Sequence, residues 1–225
     1  MLVNSIDISN FKAKLLKKDI QTAEVVVYDD WLRNALNPLY LCKQEKYKQI
    51  NLELFIKDTD DESALNDISN LVKQFEKCTI KFDDLNFYYD CLIVNKTHKR
   101  ATKGIYTLDI ELKSGYAYKP EVVETLDHVT SKTLNVSGNL RTPAIVEITP
   151  TIDMAEITVA GMKVKNLTAN TKVIINSEDF TVLEGTANKY GDTEGDFPFL
   201  VPGSNTITVS DANCVVYVKY KPRWL

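Results

Sequence analysis

The sequence predicts a mainly β protein with one helix: an α+β domain over residues 1–134, then an antiparallel β-sandwich over residues 135–225. Three observations carry this expectation. One stretch has the apolar spacing of a helix, and the segments on either side of it alternate as strands do. After Arg141-Thr-Pro143 the chain changes character, giving short strands at close spacing and no helix.

The elements follow in chain order. Lys12, Lys14, Lys17 and Lys18 surround Leu15 and Leu16, as expected for the solvated side of a first segment. Ile50, Leu52, Leu54 and Ile56 alternate with Asn51, Glu53 and Phe55, which predicts a strand with one buried face. Between Thr59 and Lys77, the residues Ala64, Leu65, Ile68, Leu71, Val72 and Phe75 fall on a single helical face. Thr59 and Glu62 have capping-box spacing, and Asp60 and Asp61 place negative charge at the positive end of the helix dipole. Thr79–Phe82 and Phe87–Val94 read as a hairpin through Asp83-Asp84-Leu85-Asn86, and Tyr106, Leu108, Ile110 and Leu112 define a further half-buried strand.

From Ser114 to Asn139 the pattern decays around Gly115 and Pro120, and a crossover is expected there. Seven strands are predicted beyond it: Ala144–Thr149, Ala155–Ala160, Met162–Leu167, Lys172–Asn176, Phe180–Glu184, Asn205–Ser210 and Val215–Tyr220. In the intervening Phe197-Pro-Phe-Leu-Val-Pro-Gly203, Pro202 and Gly203 suit the central positions of a turn. The prolines should keep Phe199-Leu-Val out of a ladder, so that Phe197 and Phe199 plug the sandwich.

Composition removes several classes of function. Residues 1–130 carry 18 basic and 21 acidic side chains and residues 131–225 carry 9 and 10, so neither part is the net-positive domain of a nucleic-acid binder. The opening Met-Leu-Val-Asn-Ser lacks a basic region followed by an apolar one, so no secretory signal is expected, and no apolar run is long enough to insert into a membrane. Cys42, Cys78, Cys91 and Cys214 are widely spaced, which suits reduced thiols better than zinc. Cys78 and Cys91 flank the predicted hairpin and could approach each other.

No catalytic constellation emerges. His98 lies in a turn-like basic segment and His128 in the crossover, and neither has the context of a nucleophile–base pair. Asp192, Glu194 and Asp196 alternate as calcium ligands do, but Phe197 stands where such a loop needs glycine, so no metal and no cofactor are expected. Tyr190, Tyr217, Tyr220, Trp224, Phe197 and Phe199 could in principle stack on a sugar, but their positions favour core packing. The segment Tyr28–Leu41 stands apart. It carries Trp31, Leu32, Leu36, Leu39, Tyr40 and Leu41 without a clean period, and such a segment either folds over its own core or buries against a partner.

These features together resemble the distal tail proteins of siphophages that infect Gram-positive bacteria. The resemblance lies in Ile6–Phe11, Asp30–Pro38, the helix Ala64–Glu76 and the hairpin Thr79–Leu85, which are similar to that family's N-terminal belt domain. It continues in Gly138–Pro143, Asn188–Asp192, Phe197–Val209 and Lys221–Leu225, which are similar to its galectin-like C-terminal sandwich. The resemblance implies a structural virion protein and no enzyme. It implies a homohexameric ring below the tail tube protein, with a tail-tip protein beneath and a receptor-binding protein around it. The location implied is the tail of a virion or prophage-encoded particle, built in the bacterial cytoplasm. The alternative from another class is a carbohydrate-binding module protein directed at cell-wall polysaccharide.

Overall fold

In the computed structural model, which describes residues 1–33 and 35–225, the chain forms two compact units, residues 1–117 with Leu225, and residues 118–224. The first unit holds β1 (Leu2–Val3), β2 (Ile6–Asp7), β3 (Ala13–Ile20), β4 (Val25–Asp30), β5 (Leu39–Glu45), β6 (Lys48–Lys57), α1 (Asp61–Phe75), β7 (Lys77–Lys81), β8 (Tyr88–Thr102) and most of β9 (Ile105–Tyr118). Its main sheet has the order β2-β1-β7-β8-β9-β6-β3. Ile50, Leu52, Leu54 and Ile56 of β6 and Tyr106, Leu108, Ile110 and Leu112 of β9 turn to the buried face, in directly opposed register. α1 covers that face with Ala64, Ile68, Leu71, Val72 and Phe75, as its apolar stripe requires.

The start of the helix differs in detail from the expected Thr59–Glu62 box. Asp60 is the N-cap, and its carboxylate accepts the Ser63 backbone N–H at 2.9 Å. Thr59 instead donates its hydroxyl to Asp60 at 3.0 Å. Two adjacent residues could each have capped, and the carboxylate is the better acceptor at the positive end of the dipole.

The second unit contains β10 (Val122–Asp127), β11 (Ser131–Val136), β12 (Thr142–Pro150), β13 (Met154–Val159), β14 (Met162–Leu167), β15 (Val173–Asn176), β16 (Thr181–Glu184), β17 (Ala187–Asn188), β18 (Thr193–Glu194), β19 (Phe199–Leu200), β20 (Gly203–Thr208), β21 (Cys214–Tyr220) and β22 (Arg223–Trp224). One layer has the order β10-β21-β12-β15-β16-β17. The other is built from the β11-β20 pair and β13-β14-β18, joined by the bridge Val159↔Val209 and the bond from Ala160 N–H to the Thr208 carbonyl at 2.9 Å. Val146, Ile148, Ile175, Val216 and Val218 of the first layer share one core with Leu134, Val136, Ile157, Val164 and Ile207 of the second. This is the antiparallel sandwich that the close-spaced strands predict.

Residues 118–134, expected to be a crossover ending the first domain, behave differently. β10 pairs along its length with β21, β11 pairs with β20, and Leu126, Leu134 and Val136 enter the sandwich core. His98, expected in a turn, lies within β8, where its ring is 6.1 Å from that of Tyr106. The Phe197–Gly203 stretch also departs from expectation. Phe199-Leu200 does join a ladder, opposite Thr142-Pro143, and the buried members are Pro198 and Leu200, while Phe197 and Phe199 are half-buried. Pro lacks a donor but keeps its carbonyl, and the Pro198 carbonyl accepts the Ala144 N–H at 3.1 Å. The turn itself is as expected: Gly203 has φ +94°, and Asn205 clamps it through the Val201 N–H at 2.9 Å and the Val201 carbonyl at 2.7 Å.

Candidate assembly surface

The six apolar residues singled out in the sequence lie at the end of one arm. β3 and β6 pair as far as Ile20↔Ile50 in the main sheet. The ladder then continues outward through Gln21 N–H to the Gln49 carbonyl at 2.9 Å, and Lys46 N–H to the Glu24 carbonyl at 2.8 Å. Beyond this base, β4 and β5 pair only with each other among the described residues, with a register shift between Tyr28 and Asp29. Near the tip, the Ala35 N–H reaches the Leu32 carbonyl at 3.0 Å. Asn34 lies outside the described residues.

The segment therefore does not fold over its own core. Leu36 is 94% exposed, Trp31 62% and Tyr40 59%, and Leu32, Leu39 and Leu41 are each about half exposed or more. Leu39, Tyr40 and Leu41 belong to a regular strand, whose period is masked in sequence because apolar residues occupy both of its faces. The opposite strand adds Val25, Val27 and Tyr28, also exposed and not among the six residues singled out from sequence. Their signal was the run Val25-Val-Val-Tyr28, which has strand propensity but no polar alternate. An isolated two-stranded hairpin in water is marginally stable, and this arm exposes apolar side chains on both of its faces. Its ion pairs among the described residues sit away from the tip. Lys43 and Glu45 pair at 2.8 Å and Lys46 and Glu24 at 3.0 Å, and each lysine is held more basic than usual by that hydrogen bond.

Two other features of the first unit are open to partners. A groove of about 670 Å³ runs between α1 and β8, walled by Leu65, Ile68, Val72, Lys96, His98 and Leu108. A polar depression of about 380 Å³ lies over the other face of the sheet, with Glu53 directly opposite Asp109 and Asn51 opposite Glu111. In the second unit, Tyr190 stacks on Phe197 with ring centroids at 6.1 Å, and Phe180 meets Phe197 edge-on at 5.3 Å. The Arg141 guanidinium covers Phe199 at 4.0 Å. Tyr190, expected to pack in the core, is more than half exposed, as is Phe180, while Phe197 and Phe199 are half-buried. The acidic loop nearby is engaged by lysines: Glu194 pairs with Lys165, and Asp192 lies 3.6 Å from Lys189.

Residues 137–224 match the family described as the siphovirus-type tail component, C-terminal domain. No curated protein matches the chain in sequence. Among solved structures, the fold is that of SPP1 Dit (gp 19.1), described as a paradigm of the hub adsorption apparatus in phages infecting Gram-positive bacteria. The TM-score is 0.84 at 10% identity, over 100% of this chain and 98% of that one. A chain of the phage P2 baseplate in its activated conformation with Ca gives a TM-score of 0.57 at 12% identity, over 96% of this chain and 92% of that one.

Proposed function

We propose that this chain, a siphophage distal tail protein of the Dit family and a structural component of the virion tail, closes into a homohexameric ring through its β4–β5 arm. The supporting observation is the arm itself: Trp31, Leu32, Leu36, Leu39, Tyr40 and Leu41 are displayed on a hairpin that its own domain leaves uncovered. A closed ring uses heterologous contacts, in which one patch meets a different patch on the neighbour. An arm projecting from a compact sheet suits that geometry. The ring would join the tail tube protein to a tail-tip protein, with a receptor-binding protein mounted around it. Light scattering after size exclusion, followed by electron microscopy, tests this. Hexamers that weaken on combined Trp31→Ala and Tyr40→Ala substitution, in a chain that stays folded, support the reading, and unaltered assembly refutes the arm's role.

A second reading rests on the Phe180–Tyr190–Phe197 cluster, since exposed aromatic rings can stack on sugars. It makes the sandwich a contact for cell-wall polysaccharide. Saturable glycan binding by the full chain, lost on Tyr190→Ala and Phe180→Ala, would favour it.

A further inference from the structure

We infer that Cys78 and Cys91 form a covalent modification site, closing an intrachain disulfide across the β7–β8 hairpin once the assembled particle leaves a reducing cytosol. The two residues are direct partners in the antiparallel register, Cys78↔Cys91, between the pairs Lys77↔Leu92 and Thr79↔Asp90. Opposed residues on antiparallel strands have Cα atoms about 4.5–5.5 Å apart, inside the roughly 4.4–6.8 Å range that a disulfide spans, so the bond needs no backbone rearrangement. Both cysteines are buried and reduced, and both contribute to the wall of a surface cavity of about 430 Å³ shared with Asn4, Lys77, Thr79 and Asp90. Lys77, Thr79, Asp90 and Leu92 alternate with the two cysteines and are more exposed, so the thiols lie on the core face of the hairpin, where only a small oxidant is expected to reach them.

The oxidant is a low-molecular-weight disulfide. One cysteine thiolate attacks it, forming a mixed disulfide and expelling one small thiolate. The second cysteine thiolate attacks the protein-bound sulfur, closing the Cys78–Cys91 bond and expelling the other. Two protein thiols are oxidised, one small disulfide is reduced to two thiols, and the two protons pass to the departing thiolates or to water. The Cys91 thiol is held well above the ordinary thiol range by its hydrogen bond with Cys78 and by burial, so attack by Cys91 itself is slow at neutral pH and accelerates in alkali. A reducing cytosol keeps the pair as thiols during synthesis and assembly, and closure follows on exposure outside the cell.

The test uses the full chain with exposed Cys42 changed to Ser, which removes intermolecular coupling. After incubation with oxidised glutathione, denatured samples should show Cys214 as the one remaining titratable thiol, and peptide mapping should find Cys78 linked to Cys91. The melting temperature of the oxidised chain should rise by about 4 °C or more and return on treatment with dithiothreitol. Retention of all three thiols overturns the proposal, as does a glutathione adduct that persists on either cysteine without closing. A Cys78→Ala variant, mapped in the same way, should retain glutathione on Cys91. A free Cys91 in a folded Cys78→Ala chain would also count against it.

Discussion

Asp61, the first residue of α1, accepts a forked pair of hydrogen bonds from Arg100 of β8, at 2.7 Å from Nη2 and 3.1 Å from Nε. The same carboxylate accepts the Gly104 N–H at 2.8 Å and the Tyr106 hydroxyl at 3.2 Å, so one side chain ties the helix start to the β8–β9 turn. Its acidity follows: the Gly104 N–H, then Arg100, hold its carboxyl below the usual carboxylate range. Asp58, bonded to Lys12, and Asp60, capping Ser63, are lowered as well. A folded-state value below the unfolded one means that the stabilisation is present above about pH 4 and is lost as pH falls through the folded value. The melting temperature should therefore drop as the chain is taken from pH 5 to pH 2. Asp61→Asn should flatten that drop while lowering the melting temperature at neutral pH.

Gly138 and Gly203 both have positive φ, at +116° and +94°, but only Gly138 is crowded. A Cβ there would stand 2.4 Å from the Arg223 carbonyl oxygen, which accepts the N–H groups of Asn139 at 3.0 Å and Leu140 at 3.3 Å. Around Gly203 nothing lies within 4 Å of the added atom. Gly203→Ala should thus cost only conformational strain, about 1–2 kcal/mol. Gly138→Ala should cost clearly more, because the collision also displaces the acceptor of two hydrogen bonds. Urea unfolding of both variants compares them directly, and equal losses would show that the Arg223 carbonyl yields freely.

What sequence could reveal depended on whether burial was one-sided within the chain itself. Ile50–Ile56, Tyr106–Leu112 and the stripe Ala64–Phe75 were legible because each has one face against its own core and one in water. β10 and β11 were not, because they carry few core residues, Leu126 on one and Leu134 and Val136 on the other, amid Thr, Lys, Glu and Asn. Their place in the sandwich comes from pairing with β21 and β20, contacts distant in sequence that no local period records. The arm was found as an anomaly but not as a hairpin. An apolar side chain that the fold leaves exposed has the same letter as one that fills its own core.

Glu147 lies on β12 between two lysines, 2.8 Å from Lys172 and 2.5 Å from Lys219. Burial opposes its ionisation, but the two cations prevail and keep its carboxyl below the ordinary range. Glu147→Gln keeps the shape and removes the charge, leaving two partly covered lysines facing a neutral amide. A loss of about 1–3 kcal/mol is expected, since hydrogen bonds to charged groups exceed neutral ones. The loss should fade as pH falls below about 4, where the wild-type carboxyl itself becomes protonated. Chemical denaturation at pH 7 and pH 3 reads both effects.

Phe75 and Leu36 are the two extremes of burial among the large apolar side chains of the first unit. Phe75 closes α1 with no exposed surface, whereas Leu36 at the arm tip is 94% exposed. Truncating Phe75 to Ala leaves a cavity beneath the buried face of α1 and should cost about 3–5 kcal/mol, enough to threaten folding of the whole unit. Leu36→Ala removes nothing that the isolated chain buries, so its unfolding midpoint at low concentration should stay within about 0.5 kcal/mol of wild type. If the arm closes a ring, the same Leu36→Ala change should weaken association at high concentration, because the side chain would then be buried against a neighbour. A concentration series in light scattering, run beside the unfolding curves, distinguishes the outcomes. A Leu36→Ala chain that loses stability as a monomer would place Leu36 in its own fold instead.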